Sequence, residues 1–180
     1  MNIPFHKPNI PSRLDEIFSD SIRSGWLTTG PVVQSFEDKL SSYLSTEHVV
    51  AVNSCTAALH LVLAAKGFGK GHKFIAPTFT FVSTIKCGEF VGMKPILVDS
   101  QENGFLIDLN QIEDLLKKDS SIKAIIPVHY AGEAIDLKSL NEIAEKYGIF
   151  ILEDAAHGLE TVSNYGKVGD TNHAAAFSFY

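Results

Sequence analysis

The chain has 180 residues, of which 45% are hydrophobic and 20% are charged, a composition typical of a globular protein with a buried core. The net charge of -6 and the pI of about 5.6 argue against a nucleic-acid-binding surface, which needs a basic patch. The two cysteines lack the CxxC spacing of a redox or metal site, and no run is apolar and long enough for a signal peptide or a membrane span. These features predict a cytoplasmic protein with no nucleic-acid or membrane partner.

The first elements in chain order are predicted helices. Apolar residues recur at helical spacing over residues 14–22, and a second helix is predicted over residues 31–44, where proline suits the first helical position. From residue 48 onward, short apolar runs alternate with amphipathic stretches. The predicted strands are 48–52, 73–76, 95–98, 124–128, 149–152 and 174–180, and the helices between them are 56–66, 81–91, 109–118 and 137–147.

This alternation predicts an α/β fold, a three-layer sandwich with a mostly parallel central sheet. No internal repeat, low-complexity tract or linker divides the chain. The last predicted strand runs to Tyr180, and domains seldom end inside a strand. We therefore expect residues 1–180 to be the N-terminal segment and most of a truncated large domain, with a smaller C-terminal domain absent.

Chemically useful residues follow several predicted strands. Ligands of open α/β sheets bind beyond the carboxyl ends of the strands, so these residues are expected to meet at one edge. The groups that follow predicted strands are Asn53–Ala57, Pro77–Phe81, His129–Gly132 and Glu153–His157.

The first of these groups is a candidate anion site. Residues 54–57, Ser-Cys-Thr-Ala, place two hydroxyls and free N–H groups at a predicted helix N-terminus, which favours a phosphate. Simple capping by Ser54 explains the same residues. The sequence contains neither GxxxxGK[ST] nor GxGxxG, which disfavours the common nucleotide loops and a nicotinamide-dependent oxidoreductase.

Asp154 follows four apolar residues at the end of a predicted strand. A carboxylate there loses water, and a cationic partner such as a protonated pyridine nitrogen would keep it ionised. His157, three residues on, could orient that carboxylate or contact a ligand ring. A capping aspartate with a surface histidine, or a metal site, remains open from spacing alone, although the other histidines show no ligand spacing.

Phe79 and Phe81 follow another predicted strand. Most such aromatic residues belong to the core. If a flat cofactor binds at this edge, one of the two rings is expected to stack on it.

Six blocks of this sequence together resemble the DegT/DnrJ/EryC1/StrS family of sugar aminotransferases, whose members have the type I pyridoxal-phosphate (PLP) aminotransferase fold. Each block alone is weakly specific, but their order along the chain is specific. The blocks are Ser24–Pro31, Asn53–His60, Pro77–Thr84, Ile126–Gly132, Glu153–His157 and Phe177–Tyr180.

The resemblance implies a role for each candidate residue. Asp154 pairs with the pyridine nitrogen of PLP, His157 lies beside the ring, and Phe81 stacks on it. The phosphate is held by Thr56, by the backbone of Cys55 and Ala57, and by the Ser178 hydroxyl. Ser54 belongs to the same cofactor-binding set. The segment that lines the substrate side of the pocket comprises Trp26, Thr28, Thr29 and Gly30.

The resemblance also implies a reaction and a partner. Glutamate gives its amino group to PLP, and a nucleotide-linked keto-sugar then accepts it, in polysaccharide, lipopolysaccharide or amino-sugar biosynthesis. Family active sites lie at a dimer interface, so we expect a homodimer or other self-association.

One departure from the family pattern affects this expectation. The family's Schiff-base lysine stands three residues after the block that here closes with Tyr180, so this chain does not contain it. We therefore expect the chain alone to be inactive and to bind PLP, if at all, without a covalent link. Two rivals remain: a non-catalytic paralogue that binds a sugar nucleotide or a partner subunit, and a PLP-dependent sugar dehydratase in which histidine replaces the lysine.

Overall fold

The computed structural model describes residues 10–179, which form α-helices around a parallel β-sheet. The α-helices are α1 (Leu14–Arg23), α2 (Pro31–Leu44), α3 (Cys55–Ala65), α4 (Val82–Phe90), α5 (Leu109–Leu116) and α6 (Leu137–Tyr147). The strands are β1 (Lys73–Pro77), β2 (Lys94–Val98), β3 (Ile122–Ile125), β4 (Phe150–Ala155), β5 (Val162–Ser163), β6 (Gly166–Lys167) and β7 (Ala174–Phe177). A short 3-10 helix covers Tyr130–Gly132.

The central sheet has the strand order β2-β1-β3-β4-β7, and every neighbouring pair is parallel. β5 and β6 form a separate antiparallel pair. The crossover segments place helices on both faces, as parallel strands require. The predicted α/β sandwich is confirmed.

Alternate residues of the strands supply two hydrophobic layers. On one face Ile75, Ile125 and Ile151 pack with side chains of α5 and α6. On the other face Phe74 and Leu152 pack with side chains of α3 and α4. Because side chains of a strand alternate between faces, Asp154 shares the face of Leu152, whereas Glu153 shares the face of Ile151.

Local sequence explains the helix ends. Ser54, Asp108 and Asp136 cap α3, α5 and α6, each accepting a hydrogen bond from a backbone N–H of the first turn. Gly148 ends α6 in the left-handed conformation, which glycine adopts without a steric cost. In residues 10–179, no helix has the length and apolar character needed to cross a membrane.

One predicted strand is wrong. Residues 48–52 form no strand, and the backbone N–H of Ala51 donates instead to Glu37 Oε1 at 2.7 Å. Val50 is 78% exposed. The apolar run has the composition of a strand, but within the described part of the chain no strand pairs with it. The last predicted strand ends at Phe177, and Tyr180 lies outside the described residues.

Candidate functional site

A cavity of about 720 Å³ lies at the N-terminus of α3 and at the carboxyl ends of β4 and β7. Its lining joins residues that are far apart in sequence, including Thr56, Asp154 and Ser178. The parallel sheet produces this meeting, because it directs the ends of all its strands to one edge. The structure therefore brings both predicted halves of the site, the helix N-terminus and the strand-end carboxylate, to a single cavity.

The N-terminus of α3 presents donors to this cavity. Ser54 is extended at the cap position, and its hydroxyl accepts from the Ala57 N–H at 3.1 Å. The geometry of an α-helix leaves the N–H groups of Cys55 and Thr56 without an acceptor inside the helix. Ser54 is thus a helix cap, which was the alternative explanation for this residue. The N–H groups of Cys55 and Thr56 still lie free at the positive end of the helix dipole, where they can bind an anion.

Two consecutive residues at the start of α4 link the two halves of the site. The Thr56 hydroxyl donates to Ser83 Oγ at 2.8 Å. The next residue, Thr84, is buried, and its hydroxyl donates to Asp154 Oδ2 at 2.6 Å. The start of α4 therefore fixes the position of the α3 N-terminus relative to the carboxylate on β4.

Asp154 is only 5% exposed. Burial raises the pKa of its carboxyl group, and the hydrogen bonds from Thr84 and from the Ala156 N–H oppose that rise only in part. The Coulombic attractions that lower this pKa come from His157 and His129, and each acts only while its ring carries a second proton. A cationic ligand atom would supply the charge that this site lacks.

His157 lines the same cavity and is oriented by the backbone. The Ala131 N–H donates to His157 Nδ1 at 3.2 Å. The Tyr130 ring meets the imidazole edge to face, with the ring centroids 5.9 Å apart. His157 and Asp154 line the same cavity, and Nε2 is the ring nitrogen of His157 that Ala131 does not engage.

The two candidate aromatic residues, Phe79 and Phe81, lie in different surroundings. Phe81 lines the cavity and is 76% exposed, so a face of its ring is available to a ligand. Phe79 stacks on Phe105 with centroids 5.2 Å apart and contacts Tyr130, and it does not line the cavity. Phe81 is the better candidate for stacking.

The segment from Trp26 to Gly30 is not among the cavity-lining residues. The Trp26 indole folds back on its own loop and donates to the Thr29 carbonyl at 2.7 Å. Gly30 lies directly beneath that indole, where a Cβ atom would overlap it. Thr28 belongs to the same loop. The assignment of this segment to the substrate side therefore stays a prediction.

The thiols near the cavity are not activated. Burial, together with the negative charge of Asp154, raises the pKa of Cys55 and of Cys87 to about 12. Both thiols are thus protonated at neutral pH, and neither is a nucleophile. Residues 10–179 also contain no cluster of three or more His, Cys, Asp and Glu side chains able to hold a metal ion.

Sequence reasoning did not single out Ser83 or Thr84. Both fall within the quoted block Pro77–Thr84, but a hydroxyl near a helix start is ordinarily assigned to capping. Their role depends on contacts between residues 27 and 70 positions apart in the sequence.

Two lysines, Lys86 and Lys167, do not line the cavity. Lys86 contacts Glu89, and Lys167 lies over the Tyr43 ring.

Comparisons with known proteins point to one family. A profile of the DegT/DnrJ/EryC1/StrS aminotransferase family matches residues 8–180. The chain is 38% identical over 178 residues to the spore coat polysaccharide biosynthesis protein SpsC of Bacillus subtilis (strain 168). This alignment covers 99% of this chain and 45% of SpsC. It is also 38% identical over 169 residues to the UDP-4-amino-4-deoxy-L-arabinose–oxoglutarate aminotransferase of Shewanella sediminis (strain HAW-EB3), covering 94% of this chain and 43% of that protein.

A solved structure shares the fold. The PLP form of the putative sugar aminotransferase Spr1654 from Streptococcus pneumoniae superposes with a TM-score of 0.89 and is 32% identical, over 100% of this chain and 49% of that chain. The chain thus spans less than half the length of the relatives it matches. On the match over residues 8–180 and these likenesses, the chain belongs to the DegT/DnrJ/EryC1/StrS aminotransferase family.

Proposed function

We propose that this chain carries the PLP-binding part of an aminotransferase that acts on nucleotide-linked keto-sugars with glutamate as amino donor. The observation that supports the proposal most strongly is that Thr56 and Asp154 line one cavity and are joined through the adjacent residues Ser83 and Thr84. Such a cavity would offer a phosphate site at the α3 N-terminus and a site for a cationic nitrogen at Asp154, as the two ends of PLP require.

The N-terminus of α3 would hold the phosphate. Free N–H groups of Cys55 and Thr56 and the helix dipole favour a dianion there. Ser178 also lines the cavity, and its hydroxyl would add to this phosphate site. The Thr56 hydroxyl donates to Ser83 and would lie beside the bound phosphate.

Asp154 would hold the pyridine nitrogen of PLP. The buried carboxylate needs a positive partner, and a protonated ring nitrogen is stabilised by a carboxylate in turn. Bound PLP supplies an electron sink, which a protonated ring nitrogen strengthens. Thr84 keeps the carboxylate oriented, and Phe81 offers its exposed ring face to the cofactor.

Among the described residues, no lysine lines the cavity. We therefore propose that residues 10–179 hold the cofactor without a covalent bond to any of their own lysines. Catalytic turnover by this chain alone is not expected.

The proposed substrate class follows from the relatives. One matched protein is named for spore coat polysaccharide biosynthesis, and another for a UDP-linked amino sugar and oxoglutarate. For this chain we propose a nucleotide-linked keto-sugar as amino acceptor and glutamate as donor.

Calorimetric titration with pyridoxamine 5'-phosphate tests the proposal. This form of the cofactor carries an amine in place of the aldehyde, so it cannot form adducts with surface lysines. We expect saturable binding to one site, at least tenfold weaker binding of pyridoxamine, which lacks the phosphate, and weaker binding to an Asp154→Asn variant. Saturable binding of a nucleotide-sugar with no binding of pyridoxamine 5'-phosphate would instead favour a non-catalytic sugar-binding protein.

A further inference from the structure

A buried ionisable pair, His129 and Glu153, lies outside the cavity, on the opposite face of β4 from Asp154. His129 Nε2 and Glu153 Oε2 are 3.0 Å apart, and both side chains are fully buried. Neither residue lines the cavity. Burying two such polar side chains is costly unless their donors and acceptors are paired, so the hydrogen bonds around them decide how they are held.

The hydrogen bonds around the pair fix its proton arrangement. The Thr171 hydroxyl donates to the other carboxylate oxygen of Glu153 at 2.6 Å. The Ile135 N–H points to His129 Nδ1 at 3.4 Å, so Nδ1 is the acceptor. The ring proton of His129 is therefore on Nε2 and is donated to the Glu153 carboxylate.

His129 begins the turn that reaches the cavity. It stands directly before the 3-10 helix Tyr130–Gly132, and its own N–H donates to the Asp154 carbonyl at 3.1 Å. In that turn Ala131 has φ 53°, a left-handed conformation that is unfavourable for a residue other than glycine. Such a conformation persists only where surrounding contacts hold it.

The conformation of Ala131 has one direct consequence at the cavity. It aims the Ala131 N–H at His157 Nδ1, 3.2 Å away. The Thr161 hydroxyl holds the far side of the turn by donating to the Gly132 carbonyl at 2.8 Å. An N–H donor at Nδ1 excludes a proton on that nitrogen, so neutral His157 carries its proton on Nε2.

We propose that His129 and Glu153 form a positioning pair that sets the tautomer of His157. By anchoring the start of the turn, the pair holds Ala131 in its left-handed conformation and keeps His157 in the Nε2–H form. His157 then presents an N–H donor, not an acceptor, to whatever occupies the cavity. The importance of this donor for cofactor binding rests on the proposed function, whereas the tautomer itself does not.

The test measures the His157 tautomer directly in the cofactor-free chain, by long-range ¹H–¹⁵N correlation of the imidazole rings at a pH where the ring is neutral. In the native chain we expect His157 to be predominantly in the Nε2–H form. A native ring with its proton on Nδ1 would overturn the proposal, whatever the variants do.

Variants separate positioning from general stability. His129→Asn has a side chain too short to reach Glu153, and we expect the ratio of Nε2–H to Nδ1–H in His157 to fall roughly fivefold, the effect of one typical hydrogen bond. Glu153→Gln keeps an acceptor for His129 Nε2–H and should retain the native ratio. Thr171→Val removes the other hydrogen bond of Glu153 but leaves the turn anchored, so it should lower the melting temperature without changing the ratio.

Two results would contradict the pair's role even with the native tautomer as expected. One is a His129→Asn variant that folds and keeps the native ratio. The other is a Thr171→Val variant that changes the ratio as much as His129→Asn does. If His129→Asn does not fold, Glu153→Leu takes its place: leucine fills similar space but offers no acceptor to His129 Nε2–H, so the same fall in the ratio is expected, and an unchanged ratio would overturn the proposal. Failure of pyridoxamine 5'-phosphate to bind would refute the proposed function and leave these measurements unaffected.

Discussion

The hydroxyl of Thr84 donates to Asp154 Oδ2 at 2.6 Å in a buried position, and this contact joins α4 to the end of β4. The preceding residue, Ser83, accepts a hydrogen bond from Thr56 at the start of α3. The first turn of α4 thus contacts both Thr56 at the α3 N-terminus and Asp154 at the end of β4. Loss of the Thr84–Asp154 hydrogen bond should therefore change the cavity more than the stability of the fold.

Replacing Thr84 by valine should weaken the binding of pyridoxamine 5'-phosphate. Valine has nearly the same shape but no donor, so Asp154 loses a hydrogen bond to its charged form, which is worth about 1.5–3 kcal/mol. We expect roughly a tenfold or greater rise in the dissociation constant measured by calorimetry. Thr78→Val, on an exposed threonine of the same segment, is the matched control and should bind as the native chain does.

The buried charge of Asp154 should make the cofactor-free chain less stable as pH rises. Burial raises the pKa of this carboxyl group in the folded chain above the value of about 3.9 in an unfolded chain. The folded state therefore holds the proton more tightly, and the associated stability is fully present below about pH 4 and is lost as pH rises through the folded pKa.

Asp154→Asn removes this titration. We expect the variant to melt at a higher temperature than the native chain at pH 7 and to lose that advantage near pH 4, as followed by circular dichroism. Asp170→Asn, at an exposed aspartate, should show no such pH-dependent difference. Equal melting temperatures of Asp154→Asn and the native chain at both pH values would show that the carboxylate is not destabilised by burial.

The two thiols should be unreactive in the folded chain. Burial raises the pKa of Cys55 and of Cys87 to about 12, so almost no thiolate exists at pH 8. We expect a disulfide reagent such as Ellman's reagent to react slowly with the native chain and rapidly with both cysteines in guanidinium chloride. Rapid native reaction of one thiol would show that the site around α3 opens readily.

Gly88→Ala should destabilise the layer that supports the cavity. A Cβ atom at this position of α4 would lie 2.2 Å from the ring of Phe74, which is fully buried. Overpacking of this kind costs about 1–3 kcal/mol, and against a fully buried ring we expect that cost to exceed the gain of roughly 1 kcal/mol from replacing glycine in a helix. Chemical denaturation should show a lower free energy of unfolding, whereas Gly104→Ala, where a Cβ makes only ordinary contacts, should change it little.

The sequence was sufficient to predict elements whose signals are local. The apolar run of β1 and the capped amphipathic helix α6 both form where expected. The run at residues 48–52 has the same local signal, yet it forms no strand. Strand formation depends on a pairing partner, and the composition of a segment does not reveal whether one is present.

In the candidate site, too, features with local sequence signals were predictable and features that depend on distant contacts were not. Asp154 and the α3 N-terminus were predictable, because strand ends and helix starts meet at one edge of a parallel sheet. The contacts of Thr84 and of His129 were not predictable from spacing, since they join residues 70 and 24 positions apart. The role of Ala131 depends on a left-handed backbone conformation that alanine rarely adopts, which no residue pattern signals.

The most direct test of the central claim is to locate both ends of one bound ligand. Pyridoxamine 5'-phosphate is titrated into the isotopically labelled chain while the backbone amides of residues 55–57 and the side-chain carboxyl carbon of Asp154 are followed by nuclear magnetic resonance. We predict that the amide and carboxyl signals shift together with one dissociation constant, and that pyridoxamine without the phosphate shifts the amides far less. Shifts confined to one of the two places, or saturating at different ligand concentrations, would contradict the account, because a single ligand would not then bridge Thr56 and Asp154.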